Sequence, residues 1–160
     1  MASFAYRYPL DVLVRRLKYS GALQLAPMLA EGLSQAVMGR AMPDLLVAMP
    51  LSLRRLRQRG YNQAHEIARR VAACCGRPLE PALERLRDTQ AQAGLTAVRR
   101  RDNLMGAFHC SRPLTGLRVA LVDDVMTSGA TLDAAARALK GAGACHVAAW
   151  VVARTPAPEY

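Results

Sequence analysis

The chain has 160 residues, 52% of them hydrophobic, and a formal net charge of +10, which suits one domain with a core of its own and excludes a disordered polar chain. It has no run of eighteen apolar residues, and Met1 to Arg7 lacks an apolar signal core, so the expectation is a cytoplasmic protein without membrane insertion. Cys74 and Cys75 are adjacent while Cys110 and Cys145 stand alone, a spacing that offers no zinc ribbon and no disulfide framework and suggests small buried residues.

Pro9 can open a first helix, with Leu10, Leu13, Val14 and Leu17 on one stripe and Arg15, Arg16 and Lys18 off it. Gly21 ends it. A second helix is expected from about 22 to 37, stopping near Gly39. Leu45 to Met49 reads as a short apolar strand closed by Pro50. An Arg-rich turn, Pro50 to Gly60, then leads to a helix from the cap Asn62 to Cys75, with Gly76 at its end. Between Arg54 and Arg101 twelve arginines stand against four acids. Because the guanidinium fork binds phosphate bidentately, this segment is a candidate surface for pyrophosphate, nucleic acid or both.

Residues 79 to 105 show weak periodicity and many long polar side chains, which predicts a mobile excursion returning through a short strand at Ala107 to Cys110. After the Gly116 turn come a strand at Val119 to Val122, a small-residue loop, and a helix from Thr131 to about Leu139 stopped by Gly141 to Gly143. A last strand, His146 to Val152, is apolar on both faces. No linker divides the chain, so residues 1–160 read as one domain with a helical part at about 9–40 and a core at about 44–155. Strands alternating with helices and buried on both faces indicate a parallel α/β sheet, whose ligands sit beyond the strands' carboxyl ends.

The stretch Val119-Ala120-Leu121-Val122-Asp123-Asp124-Val125-Met126-Thr127-Ser128-Gly129-Ala130-Thr131 joins a buried strand to an acidic pair and a hydroxyl-rich loop. A loop between a strand end and a helix N-terminus presents unpaired N–H groups to an anion, and Gly129 lets a phosphate approach closely. Thr127, Ser128 and Thr131 add hydroxyls. Asp123 and Asp124 suit the vicinal hydroxyls of a ribose, directly or through a divalent cation, and two adjacent carboxylates are costly unless ligand, cation or solvent satisfies them. A Walker loop is absent, and Val125 stands where a haloacid-dehalogenase loop needs its second Asp.

These thirteen residues resemble the 5-phosphoribosyl-1-pyrophosphate (PRPP) signature of type I phosphoribosyltransferases. The wider chain is similar to the ComF/GntX group of phosphoribosyltransferase-like competence proteins. That likeness rests on Leu17-Lys18-Tyr19-x-Gly21, Met49-Pro50-Leu51-Ser52, Arg59-Gly60-Tyr61-Asn62-Gln63-Ala64, Arg87-x-Thr89-x2-Gln92-x2-Leu95 with Arg100 and Asn103, and Gly106-Ala107-Phe108. The resemblance implies a single-domain type I phosphoribosyltransferase fold, a mostly parallel sheet flanked by helices. It assigns Asp123, Asp124, Thr127, Ser128, Gly129, Ala130 and Thr131 to PRPP, with Mg2+ met by the two carboxylates, in part indirectly. Pro50, Leu51, Ser52 and Arg54 correspond to the pyrophosphate loop, and Arg87 to Asn103 to a flexible hood.

The reaction implied is displacement of pyrophosphate from the ribose C1 by a nitrogen nucleophile, with Arg59 and Arg100 as candidates to stabilise the departing charge. No general base stands out, and His65, His109 and His146 receive no catalytic role. Members of the group usually begin with a four-cysteine zinc module, and this chain starts at about the residue where that module would end. The expectation is therefore a short form or a start placed too late, with no zinc in this chain. The expected role is DNA uptake in natural transformation, with PRPP, competence-machinery proteins and a second copy of the chain as candidate partners. The alternative is a non-catalytic adaptor that keeps the fold and binds single-stranded DNA through its arginines.

Overall fold

The computed structural model describes residues 1–88, 104 and 106–156. In chain order the elements are β1 (Ala2–Ala5), α1 (Leu10–Tyr19), α2 (Ala26–Val37), β2 (Leu45–Ala48), α3 (Leu53–Arg59), α4 (Gln63–Cys75), β3 (Leu83–Arg85), β4 (Phe108–Cys110), β5 (Arg118–Met126), α5 (Ala130–Gly141) and β6 (His146–Arg154). Four strands form a parallel sheet in the order β1-β6-β5-β2, while β3 and β4 make a separate antiparallel pair.

The apolar spacing sets the layers. Val14 and Leu17 of α1, Leu29 and Leu33 of α2, and Ile67 and Val71 of α4 pack with Leu46, Ala120, Val122 and Trp150 on one face of the sheet. Leu132, Ala135 and Leu139 of α5 cover the other face, against Leu45, Val47, Val119 and Leu121, and the β3–β4 pair joins this second cluster. Each fully buried leucine contributes about 1.5–3 kcal/mol relative to exposure.

Connectivity defines a crevice. After α4 the chain returns beside β2, where Leu79 bridges Leu46 in parallel on the side away from β5. After β5 it passes through α5 to β6, in the other direction. The connections diverge between β2 and β5, so a switch point lies beyond the carboxyl ends of those two strands, where open α/β sheets bind ligands.

Several expectations change in detail. The second helix begins at Ala26 after a 3-10 turn at Leu23–Leu25, because Pro27 in its first turn has no N–H to bond further back. The segment expected as an Arg-rich turn contains α3, capped by Ser52, whose Oγ accepts from Arg55 N at 3.4 Å, and closed by Gly60 at φ +77°. The return strand forms as β4, but it pairs with β3 rather than joining the main sheet. Strand β1 is an addition to the expected set; its Phe4 ring approaches α2 so closely that a Cβ on Gly32 would meet it at 2.7 Å. The cysteines are not buried: Cys74 and Cys145 are exposed, and Cys75 and Cys110 are half-buried. Most of the expected hood, including Arg100, lies outside the described residues.

Candidate functional site

Strand β5 is five residues longer than the sequence pattern predicts and carries the acidic pair within it. Met49 N donates to Val122 O at 2.8 Å as β2 leaves the sheet towards Pro50. Beyond that point the amides of Asp124 and Val125 donate to the side chains beside them, Asp123 Oδ1 at 2.8 Å and Asp124 Oδ1 at 2.7 Å. Alternation along the strand continues the α5 face into Asp123 and the α1/α2/α4 face into Asp124.

The two carboxylates therefore differ. Asp124 is 3% exposed, and Lys18 Nζ at the end of α1 lies 3.0 Å from its Oδ2. That ion pair falls short of hydrogen-bond geometry, since among the described residues Oδ2 has no hydrogen-bond donor. The expectation that only ligand, cation or solvent would meet the pair changes at Asp124, where a lysine ammonium lies against the carboxylate although Oδ2 accepts no hydrogen bond among the described residues. Asp123 is half-buried. Its carboxyl is pushed up to about 8, first by burial and then by the charge of Asp124. The fold sets a lysine against one carboxylate and disfavours charge on the other.

The loop after the pair leads into the N-terminus of α5. Thr127 and Ser128 are exposed, while Gly129, Ala130 and Thr131 are half-exposed. Gly129 takes φ +81° as the cap of α5, and Asp133 N is the first amide to bond back, to Gly129 O at 2.9 Å. The preceding helix amides of Thr131 and Leu132 have no backbone acceptor among the described residues, which leaves donors and the positive end of the helix dipole free for a phosphate. Among the described residues a Cβ on Gly129 would meet only Met126 Sδ, at 3.8 Å. The glycine is required by its backbone angle, and the space above it is open.

Pro50, Leu51 and Ser52 follow β2 after Met49, whose amide donates to the carbonyl of Val122, the residue before the acidic pair. Asn62 fixes them there: its Nδ2 donates to Met49 O at 3.0 Å while its Oδ1 caps α4 by accepting from Ala64 N at 3.0 Å. Ser52 is buried with its hydroxyl committed to capping α3. Arg54 lies 4.0 Å from Asp88, an exposed pair worth about 0–1 kcal/mol, so its guanidinium is easily redirected. Arg59 donates to Gln63 Oε1 at 2.9 Å and stacks 5.0 Å over the Tyr19 ring, next to Lys18 rather than on the acids themselves. Two side chains that sequence reasoning passed over belong here. Lys18 is one. The other is Arg85 on β3, which stacks 5.5 Å over Phe108 and is near enough to Asp123 and Arg55 to feel both charges.

Among the described residues no three metal-ligating side chains cluster. The acidic pair, with one member neutralised by Lys18, offers too few oxygens to cage Mg2+ and fits a cation whose other ligands come from phosphate and sugar oxygens. No helix among the described residues is long and apolar enough to cross a membrane.

Comparison with known proteins bears on the family and the fold. The phosphoribosyl transferase domain model matches residues 56–160. The DNA utilization protein YhgH of Salmonella typhi is 36% identical over 157 residues, covering 94% of this chain and 69% of the relative. Competence protein F of Haemophilus influenzae is 33% identical over 159 residues, covering 93% and 69%. Competence protein ComFC of Bacillus subtilis is 29% identical over 157 residues, covering 95% and 62%. Among solved structures, a glutamine PRPP amidotransferase from B. subtilis, complexed with ADP and GMP, superposes with a TM-score of 0.55 at 21% identity, over 79% of this chain and 25% of that one. That likeness speaks to the fold. The chain belongs to the phosphoribosyltransferase family, in the ComF group that includes the competence and DNA utilization proteins.

Proposed function

We propose that this protein binds PRPP at the carboxyl ends of β2 and β5 and serves DNA uptake and utilisation in the cytoplasm. One observation carries the reading: an acidic pair at the end of β5 runs straight into a left-handed glycine and a helix start with open amides, all at the switch point of the sheet. Residues 127–131 anchor the 5'-phosphate through backbone N–H groups and hydroxyls. Asp123 accepts hydrogen bonds from the ribose hydroxyls, backed by Asp124 and Lys18. Mg2+ supplies charge neutralisation on the pyrophosphate. Arg54 and Arg59, with the turn at Pro50 to Ser52, receive the pyrophosphate as it leaves C1 with the bonding electrons, while the nitrogen nucleophile forms the new C–N bond and gives its proton to solvent.

Calorimetric titration of PRPP in the presence of Mg2+ tests the site. Saturable one-to-one binding that ribose 5-phosphate competes away is expected, and absence of any PRPP binding would refute it. A second reading is favoured by the excess of eight positive charges between Arg54 and Arg101: the fold retains PRPP binding but acts as a single-stranded-DNA adaptor without turnover. Pyrophosphate release, assayed with candidate nitrogen acceptors, separates the two.

A further inference from the structure

We infer that Lys18 is a positioning residue of this site, whose ammonium occupies the place of a metal ion on the inner carboxylate and so keeps divalent cations off the acidic pair until the sugar phosphate arrives. The inference rests on the reading of the site given above. Both oxygens of Asp124 are engaged, Oδ1 by Val125 N at 2.7 Å and Oδ2 by the ammonium at 3.0 Å. The carboxylate is thereby turned away from bidentate coordination, and the ammonium offsets the charge that Asp124 would otherwise offer a metal ion. A bare pair of acids at this place would attract a hydrated divalent ion.

The lysine is held in place rather than loosely draped. Its side chain is only 19% exposed. Leu17 beside it is fully buried, and the Tyr61 hydroxyl donates to the Leu17 carbonyl, tying the last turn of α1 to the loop before α4. Lys18 also lies outside residues 56–160, the part matched by the phosphoribosyl transferase domain. The helix in front of the sheet thus adds a charge to a site whose phosphate loop and acids lie in the matched region.

The test uses Mn2+ as a paramagnetic stand-in for Mg2+, titrated without PRPP and followed by the signal of the free ion. Lys18→Ala is expected to bind Mn2+ about tenfold more tightly than the parent protein or beyond, and Lys18→Arg to stay as weak as the parent. Equal Mn2+ affinity in the parent and in a folded Lys18→Ala would overturn the inference. If Lys18→Ala does not fold, Lys18→Gln, which keeps a polar side chain but carries no charge, takes its place with the same two outcomes. No PRPP is present, so this failure is distinct from a failure of the parent protein to bind PRPP.

Discussion

Asp123 and Asp124 are adjacent in sequence and opposite in environment, and that difference makes Asp123 the better probe of the ligand. Replacing Asp124 strands a half-buried Lys18 without its partner, so loss of binding there would mix folding with recognition. Asp123→Asn removes a group whose ionisation the fold resists. A charge-assisted hydrogen bond is worth about 1.5–3 kcal/mol, so PRPP affinity should fall roughly ten- to a hundredfold by calorimetry; unchanged affinity would remove Asp123 from the site. The raised carboxyl value fixes the sign of two pH effects. Stability linked to this group is greatest below its ordinary value of 3.8 and declines as pH climbs towards about 8, so Asp123→Asn should melt progressively higher than the parent protein between pH 5 and pH 9. PRPP with Mg2+ selects the ionised form, so affinity should rise with pH up to about 8 and binding at neutral pH should release a proton. Calorimetry in two buffers of different ionisation enthalpy reads that proton. Gly129 is a third residue-scale test: at φ +81° an alanine is strained by about 1–2 kcal/mol, and its methyl stands in the open space where the phosphate would sit. Gly129→Ala should lower the melting temperature modestly and lose ribose 5-phosphate binding, whereas normal phosphate binding would place the anion elsewhere.

At the scale of elements, Asn62 links two functions. Its cap on α4 is worth about 0.5–2 kcal/mol, and its bond to the Met49 carbonyl fixes the turn at Pro50. Asn62→Ala should therefore weaken pyrophosphate binding more than ribose 5-phosphate binding, and equal weakening of both would assign the residue to stability alone. Helix α4 was legible from sequence because Asn62 and Gly76 bracket a clear apolar stripe. The same holds for α1, α5 and the cores of β2, β5 and β6, all of which have buried side chains at the right period. Helix α3 was not legible because its two leucines, Leu53 and Leu56, are exposed and give no stripe; its caps Ser52 and Gly60 were the remaining signal. Strands β1 and β3, of four and three residues, are too short for a period to show. Within the site, the loop and the acidic pair stood out because their chemistry is local. Lys18 did not. Its position off the apolar stripe reads as a solvated side chain, and only the Leu17-Lys18-Tyr19-x-Gly21 motif hinted at more, since the contact with Asp124 spans most of the chain.

For the molecule as a whole, the question is how a chain of net charge +10 separates one polyanion from another. Helix α3 presents Arg54 and Arg57 in the open beside Arg55, directly after the turn that follows β2, with Arg85 near Arg55 and Asp123. A field of that sign attracts DNA phosphates as readily as pyrophosphate. We therefore expect PRPP and single-stranded DNA to compete, each weakening the other by the same factor, as linkage requires. If α3 tracks the DNA backbone, affinity should fall with salt at a log-log slope of about −0.7 per phosphate neutralised, and replacing Arg54, Arg55 and Arg57 with Gln should flatten that slope by up to about 2. If these arginines serve pyrophosphate alone, the same variant should lose PRPP affinity while DNA binding keeps its salt dependence. Loss of both establishes a shared surface, on which the sugar phosphate would govern when DNA is held. Saturating PRPP and DNA bound together without mutual weakening would rule that surface out.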